Sequence, residues 1–467
     1  MKKNLSKKTL LCAVLAAGTL LVAGTACSTV RDAREAQKPE NRLHGERTVD
    51  FSELGFEDGA VISLEEFEAI ALDANPQIFQ ARQAVVSAQL AVKDIRADYM
   101  PTLDASASYT QETHNTRKTG QSLHSDGTNG IGLSLDLLIW DFGKTDAKYE
   151  QAVANLIAAE KDLLSAENLV RYNVRTAYYE LLRSVELNTV SEQSVEQYRE
   201  HLAQMLAYHD AGKGTRYDCT KAEVDYNTAL LENISTANNV KTARADLNLA
   251  IGLAESPDYR LGGSAVGTFP EDVDSLMKLA REREPGLAAL VAQEKAASAY
   301  VDQTVAELYP TIGLKFSATL EGEDLDMPKI WNLLGAGTLA QNVFNGGRNE
   351  RAIEDAVAKL RVARSKVAAY EQNLYAELCK AVLTLSRAKK QYEVALLSER
   401  AAKDNFDIVT ERFNVGKASS LDRTDAQVSL TEARASRVSA EYDYREAVSA
   451  IAYLVATPPT EKDELGG

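Results

Sequence analysis

Cysteine is scarce: four residues in 467. Cys12 and Cys27 stand at the N-terminal end. Cys219 and Cys379 fall inside helical patterns without metal-ligand spacing, so both read as packing residues rather than a disulfide or a nucleophile. Of five histidines, His114 and His124 lie close together in what reads as a polar loop, a weak basis for a metal site. Positive charge is outnumbered, 52 Lys and Arg against 68 Asp and Glu, for a net charge of −16. Removing the four leading lysines (Lys2, Lys3, Lys7 and Lys8) from that −16 leaves about −20, a balance opposed to the basic face that nucleic acid requires. After residue 26 no apolar run is long enough for a membrane helix. No nucleophile–base pair, phosphate-cradling glycine loop or His/carboxylate cluster is present in the pattern. The enzyme reading is therefore set aside, and no cofactor, metal or catalytic residue is expected.

What is present is a repeat. The stretch Arg412-Phe413-Asn414-Val415-Gly416-Lys417-Ala418-Ser419-Ser420-Leu421-Asp422 separates two helical patterns. Glycine suits the left-handed turn that ends a helix, and Ser419-x-x-Asp422 matches a capping box with Asp in the usual Glu or Gln place. The same device occurs 204 residues earlier, at Ala211-Gly212-Lys213-Gly214-Thr215-Arg216-Tyr217-Asp218. Apolar Leu156, Leu163, Val170 and Ala177 map by that offset onto Leu360, Val367, Leu374 and Ala381. Asp141-Phe142-Gly143-Lys144 maps onto Asn345-Gly346-Gly347-Arg348. Further upstream the offset is 209: Pro76 maps onto Pro285, and Tyr99-Met100-Pro101 onto Leu308-Tyr309-Pro310. The chain reads as two copies of one unit, about 61–264 and 265–457.

Residues 1–26 read as an export signal, with lysines ahead of an apolar run and Gly24-Thr25-Ala26-Cys27 at its end. Two readings stand: a lipobox that places a diacylglycerol on Cys27, and ordinary cleavage that leaves a free thiol. The first is the expectation, because an exported chain starting on a free cysteine is unusual. Residues 27–60 read as an extended arm and 458–467 as a flexible tail.

Within each copy the hydrophobic period switches. Leu103, Ala105, Ala107 and Tyr109 alternate with polar residues, and so do Ile131 to Ile139 and Ile312 to Leu320. Strands are expected at about 101–114, 129–142, 310–321 and 331–344, the last alternating poorly. Soluble hairpins on a core are one reading. The other is membrane-spanning strands, favoured by segment length, by a polar face suited to a wet lumen, and by aromatics at the strand ends (Tyr99, Trp140, Phe142, Tyr309, Trp331 and Phe344). Four strands cannot close a barrel, and open edges are not tolerated in lipid, so protomers must share one: two would supply eight strands and three would supply twelve. Each strand pair leads into a 68-residue helical run, 144–211 and 348–415, roughly 100 Å long. The shorter helices after the tips, 215–252 and 419–457, are expected to stack end to end with the helices 285–309 and 76–99 and so match the long ones in reach.

This order of elements, with its Phe-Gly-Lys and Gly-Gly-Arg corners and duplicated tips, resembles the TolC family of outer-membrane efflux proteins over about residues 60–457. The resemblance implies a mixed α and transmembrane β fold: a trimer sharing a twelve-stranded outer-membrane barrel, continued by a long periplasmic α-helical barrel. It implies a periplasmic adaptor and an inner-membrane pump, proton-driven or ATP-driven, as partners alongside outer-membrane lipid. A lipidated Cys27 would place the chain in the lipoprotein branch. By the same resemblance, Ala211, Gly212, Lys213, Val415, Gly416 and Lys417 match adaptor-contacting turns. Ala211 replaces the usual Val, and lysine replaces the more common Leu or Thr in both copies. Asp422 and Asp425 match acidic positions that ring a closed periplasmic entrance, and Asp218 is the counterpart of Asp422. Ala418 stands where some members carry an Arg that latches the closed state.

Each of these residues also has a plainer reading. Gly212 and Gly416 serve as helix C-caps, and Asp218 and Asp422 serve capping boxes. Asp425 lies deeper in its helix, opposite Lys221 of the first copy, and capping explains it less well. The expected function is an exit duct for efflux, with protein secretion or a non-transporting envelope spacer as alternatives.

Overall fold

The computed structural model describes residues 59–115, 123–253, 259–263, 267–323 and 330–458, with a few positions between 29 and 37. The leader, Cys27 and residues 459–467 lie outside the described residues, so the lipid-anchor and tail expectations do too.

The chain order is β1 (Val61–Ile62), α1 (Leu64–Ala74), α2 (Pro76–Ala97), β2 (Thr102–Asn115), β3 (Leu123–Trp140), α3 (Lys144–Asp210) and α4 (Arg216–Ile251). Then come β4 (Arg260–Leu261), α5 (Val273–Arg283), α6 (Pro285–Ala306), β5 (Thr311–Glu323), β6 (Ile330–Ala340), α7 (Arg348–Asn414) and α8 (Ser420–Leu454). The long helices hold 67 residues each, one fewer than expected, because Ala211 and Val415 are caps. β3 begins six residues earlier than expected and β6 stops four earlier. His114 and His124 therefore lie on strands, opposite each other in the β2–β3 ladder, and not in a loop. Phe344 lies beyond β6 rather than at its end.

The four strands form one antiparallel sheet in the order β2-β3-β5-β6. Thr102 opposes Asp136 in the first hairpin, and Thr311 opposes Ala340 in the second. Adding 209 to Thr102 and 204 to Asp136 yields the second pair, so the two copies agree in register as well as in sequence. Leu103, Leu133, Phe316 and Leu333 share one face of the sheet and all are exposed. No core lies beneath them, which removes the reading of soluble hairpins packed on a core. The opposite face carries the Lys315–Asp136 ion pair at 3.5 Å. β2 and β6 each have a free edge within the chain.

The helices pack beside the two long ones. α2 and α4 both lie on α3, α6 lies between α3 and α7, and α8 lies between α7 and α3. End-to-end stacking is visible where α4 meets α2. Gly252 ends α4 with φ 94°, and a Cβ there would sit 3.0 Å from Asn75 Cα. Asn75, the N-cap of α2, donates from Nδ2 to the Ala250 carbonyl at 2.9 Å. The core gathers at this mid-height belt, where Phe67 of α1 meets the rings of Tyr178 and Tyr259, and where α5 packs on α7. Parallel pairing of β1 with β4 closes the belt.

Candidate functional site: the paired helical tips

Both long helices end in the same way. Gly212 and Gly416 adopt φ of 71° and 73°, the left-handed region where glycine carries no Cβ penalty. The Lys213 N–H donates to the Tyr208 carbonyl at 2.8 Å and the Gly212 N–H to His209 at 2.9 Å. In the second copy Lys417 donates to Arg412 at 2.7 Å and Gly416 to Phe413 at 2.9 Å. This 6→1 and 5→2 pair is the Schellman arrangement, and it satisfies carbonyls that the helix end would otherwise orphan. A Cβ on either glycine would meet nothing within 4 Å, so the constraint is backbone angle and not space.

Each turn runs directly into a capping box. The Asp218 N–H donates to Thr215 Oγ1 at 3.2 Å, and the Thr215 N–H returns to Asp218 Oδ2 at 3.2 Å. The Asp422 N–H donates to Ser419 Oγ at 3.1 Å, and the Ser419 N–H to Asp422 Oδ2 at 2.8 Å. The Ser419 backbone and hydroxyl, with a smaller effect from Arg412, hold the Asp422 carboxyl below the usual carboxylate range. Asp422 keeps its charge in more acidic solution than an ordinary carboxylate. Asp425 is exposed and takes no part in the capping box. Its counterpart Lys221 is paired with Asp225.

Ala211, Gly212, Lys213, Val415, Gly416 and Lys417 are all exposed at the ends of the two hairpins. Beside them stand two residues that sequence reasoning passed over: Tyr217, 76% exposed, and Leu421, 60% exposed. They are counterparts at the 204 offset, and two bulky apolar side chains each two residues past an N-cap were the available signal.

Behind the tips the copies differ. Met205, Cys219, Ala222 and Phe413 form a small buried cluster, and Cys219 Sγ lies 3.4 Å from the Met205 carbonyl oxygen. Cys219 is a packing residue, as expected. In the second copy the same position is Arg423. Its Nη1 lies 2.8 Å from His201 Nδ1 and 2.7 Å from Gln204 Oε1, both on α3, and its guanidinium covers the Phe413 ring at 5.6 Å. His201 is buried, and burial, reinforced by Arg423, pushes it down to about 4. The ring is neutral at pH 7. Arg423 can only donate, so Nδ1 accepts and Nε2–H donates to Ser420 Oγ at 3.1 Å. These bonds join the α7–α8 hairpin to the α3–α4 hairpin just above both tips. Among the described residues no group of three or more His, Cys, Asp or Glu is placed to hold a metal ion.

Similarity to known proteins places this fold in a family. The family model for outer membrane efflux proteins matches residues 69–253 and 276–457, one segment per copy. The outer membrane efflux protein BepC of Brucella suis is 26% identical over 343 residues, covering 73% of this chain and 74% of that protein. The solvent efflux pump outer membrane protein SrpC of Pseudomonas putida is 25% identical over 393 residues, 80% of each chain. The CmeC outer membrane channel of Campylobacter jejuni shares the fold at a TM-score of 0.74, with 18% identity over 85% of this chain and 87% of that one. With the family model spanning both copies, and an exposed apolar sheet continued by long helices, this chain belongs to the outer membrane efflux protein family and is an outer-membrane efflux channel.

Proposed function

We propose that three copies of this chain close one twelve-stranded barrel in the outer membrane and one helical barrel in the periplasm, forming the exit duct of a tripartite efflux system. The observation that carries this is the pair of free edges on an otherwise lipid-suited sheet. Lipid offers no partner to an unpaired strand edge, and four strands are too few to close alone. The helical edges support the same reading: Leu231 and Ile234 on α4, and Leu383 and Leu397 on α7, are apolar and more than half exposed in the single chain.

In this reading the turns at Gly212 and Gly416 meet a periplasmic adaptor, which is coupled to an inner-membrane pump. Asp422 and Asp425, with Asp218 beside them, become rings of carboxylates around the entrance. Such rings concentrate negative potential in a narrow mouth and favour cations. Cys27 carries lipid and tethers each N-terminus to the membrane. The choice of cargo lies with the pump.

Two measurements test the core of the proposal. Mass in mild detergent should equal three protomers, and the purified protein should conduct in a planar bilayer. A stable folded monomer sinks the shared barrel, and a non-conducting trimer leaves only a spacer. Mass spectrometry of the mature N-terminus should find Cys27 acylated and Cys27→Ser unmodified; a free thiol at Cys27 removes the anchor.

A further inference from the structure

The sheet has three junctions inside the chain and needs a fourth between subunits. The two hairpin junctions are related by the repeat offsets, as shown by Thr102–Asp136 and Thr311–Ala340. The third junction, β3 against β5, joins the first copy to the second. There Asp136 opposes Lys315, Ser134 opposes Ser317 and Leu133 opposes Ala318. The missing junction, β6 against β2 of another subunit, joins a second copy to a first. Resting on the three-copy reading, we infer that the subunit junction repeats the β3–β5 register. Adding 204 on one side and subtracting 209 on the other places Ala340 opposite Ser106 of the partner subunit. By the same shift Thr338 opposes the partner's Ser108, and Gly337 opposes the partner's Tyr109.

Two features of the side chains agree with this register. The polar and apolar faces stay matched, whereas a slip by one residue would set Thr338 against the apolar Ala107 of the partner subunit. A slip by two would also keep the faces matched, so the repeat alone separates those registers. The second feature is volume. Inside the chain Gly335 lies opposite Phe316, and a Cβ on Gly335 would meet that ring at 3.2 Å. The inferred junction sets Gly337 opposite the half-exposed Tyr109 in the same manner, an aromatic ring over a glycine.

The membrane-boundary corner follows from the same shift. Inside the chain Trp140 packs against Phe142, and Phe142 stacks on Tyr309, with ring centroids 6.2 and 5.6 Å apart. Their counterparts at the subunit junction are Phe344, Gly346 and Met100 of the partner subunit. Val343 and Phe344, 89% and 86% exposed in the single chain, follow the end of β6 with nothing against them. Glycine at 346 leaves room for the Phe344 ring to reach the partner's Met100 sulfur, a contact that sulfur and aromatic rings favour.

Disulfide trapping tests the register. Directly opposed Cβ atoms lie about 5 Å apart and those offset by two residues about 7 to 8 Å, and only the former approach disulfide geometry. Thr338→Cys with Ser108→Cys should give covalent dimer and trimer on oxidation, reversed by reductant. Neither single variant should do so. Thr338→Cys with Ser106→Cys or with Thr110→Cys should link at least about tenfold more slowly. If the first pair fails to assemble, Ala340→Cys with Ser106→Cys decides, and it should also link subunits. A trimer in which a shifted pair links faster overturns the register and leaves the three-copy reading intact. A folded monomer overturns both.

Discussion

The two tips share a backbone and differ in what holds them. Their turns share the left-handed glycine, both Schellman bonds and the reciprocal capping box, and the first adds a Gly214 N–H bond to the Tyr208 carbonyl. Behind the first tip sits Cys219 in apolar packing; behind the second, at the equivalent place, Arg423 reaches across to His201 and Gln204 of the other hairpin. One side-chain choice thus adds directional hydrogen bonds from the second hairpin to an apolar cluster that, through Phe413, both hairpins already share. Apolar packing tolerates small slides. Hydrogen bonds from the half-buried Arg423 guanidinium are directional and are lost when a partner moves, which leaves polar groups unsatisfied at about 1 to 3 kcal/mol. Relative motion of the two hairpins must therefore break the bonds at Arg423.

The largest effect is expected from the turns themselves. Gly416→Trp should abolish export while leaving the trimer nearly as stable, because the added side chain meets open space and the left-handed backbone costs only about 1 kcal/mol. Gly212→Trp should do the same if both tips dock. Export assays on both variants sharpen the comparison, and normal export by well-expressed Gly416→Trp removes docking at the second tip.

Next comes the tie. Arg423→Leu strands the buried His201 Nδ1 and the half-buried Gln204 Oε1 and should loosen the second hairpin by about 1 to 3 kcal/mol. Cys219→Ala, which trims apolar packing and the weak thiol contact to the Met205 carbonyl, should cost the first hairpin about 1 kcal/mol or less. Hydrogen exchange at the starts of α4 and α8 measures both; equal protection losses would erase the distinction between the tips.

Acidification should act on the same bond more gently. Buried His201 is held to about 4, while an exposed histidine takes a proton near 6.5. The folded value is the lower one, so docking is at full strength above 6.5 and weakens as pH falls from 6.5 toward 4. Spin labels at positions 213 and 417 should report a broader distance distribution at pH 5 than at pH 7. His201→Gln should remove the difference, and a wild-type distribution independent of pH would remove His201 from the tie.

The smallest effect is on ions. Asp422→Asn with Asp425→Asn should reduce cation selectivity in bilayer recordings and blunt block by divalent cations, without disturbing the sheet. Unchanged selectivity and unchanged block would leave Asp422 as a helix cap and Asp425 as an exposed surface residue.

The sequence by itself determined the duplicated plan, the turns and the strand faces, because each is set over a few residues. A capping box closes within four positions, a left-handed glycine within one, and strand alternation within two. The repeat then made each local reading twice. It failed where register extends a strand past its hydrophobic pattern, so His114 and His124 were read as loop although pairing carries β2 and β3 past them. Tertiary structure alone decided the Arg423 tie. Arg423 and His201 stand 222 positions apart in the chain, and nothing near either residue marks the other. It also decided that the sheet's apolar face has no core beneath it and that both edges are free. A strand's neighbours are chosen by the whole chain, whereas its turns and faces are chosen by the residues on the spot.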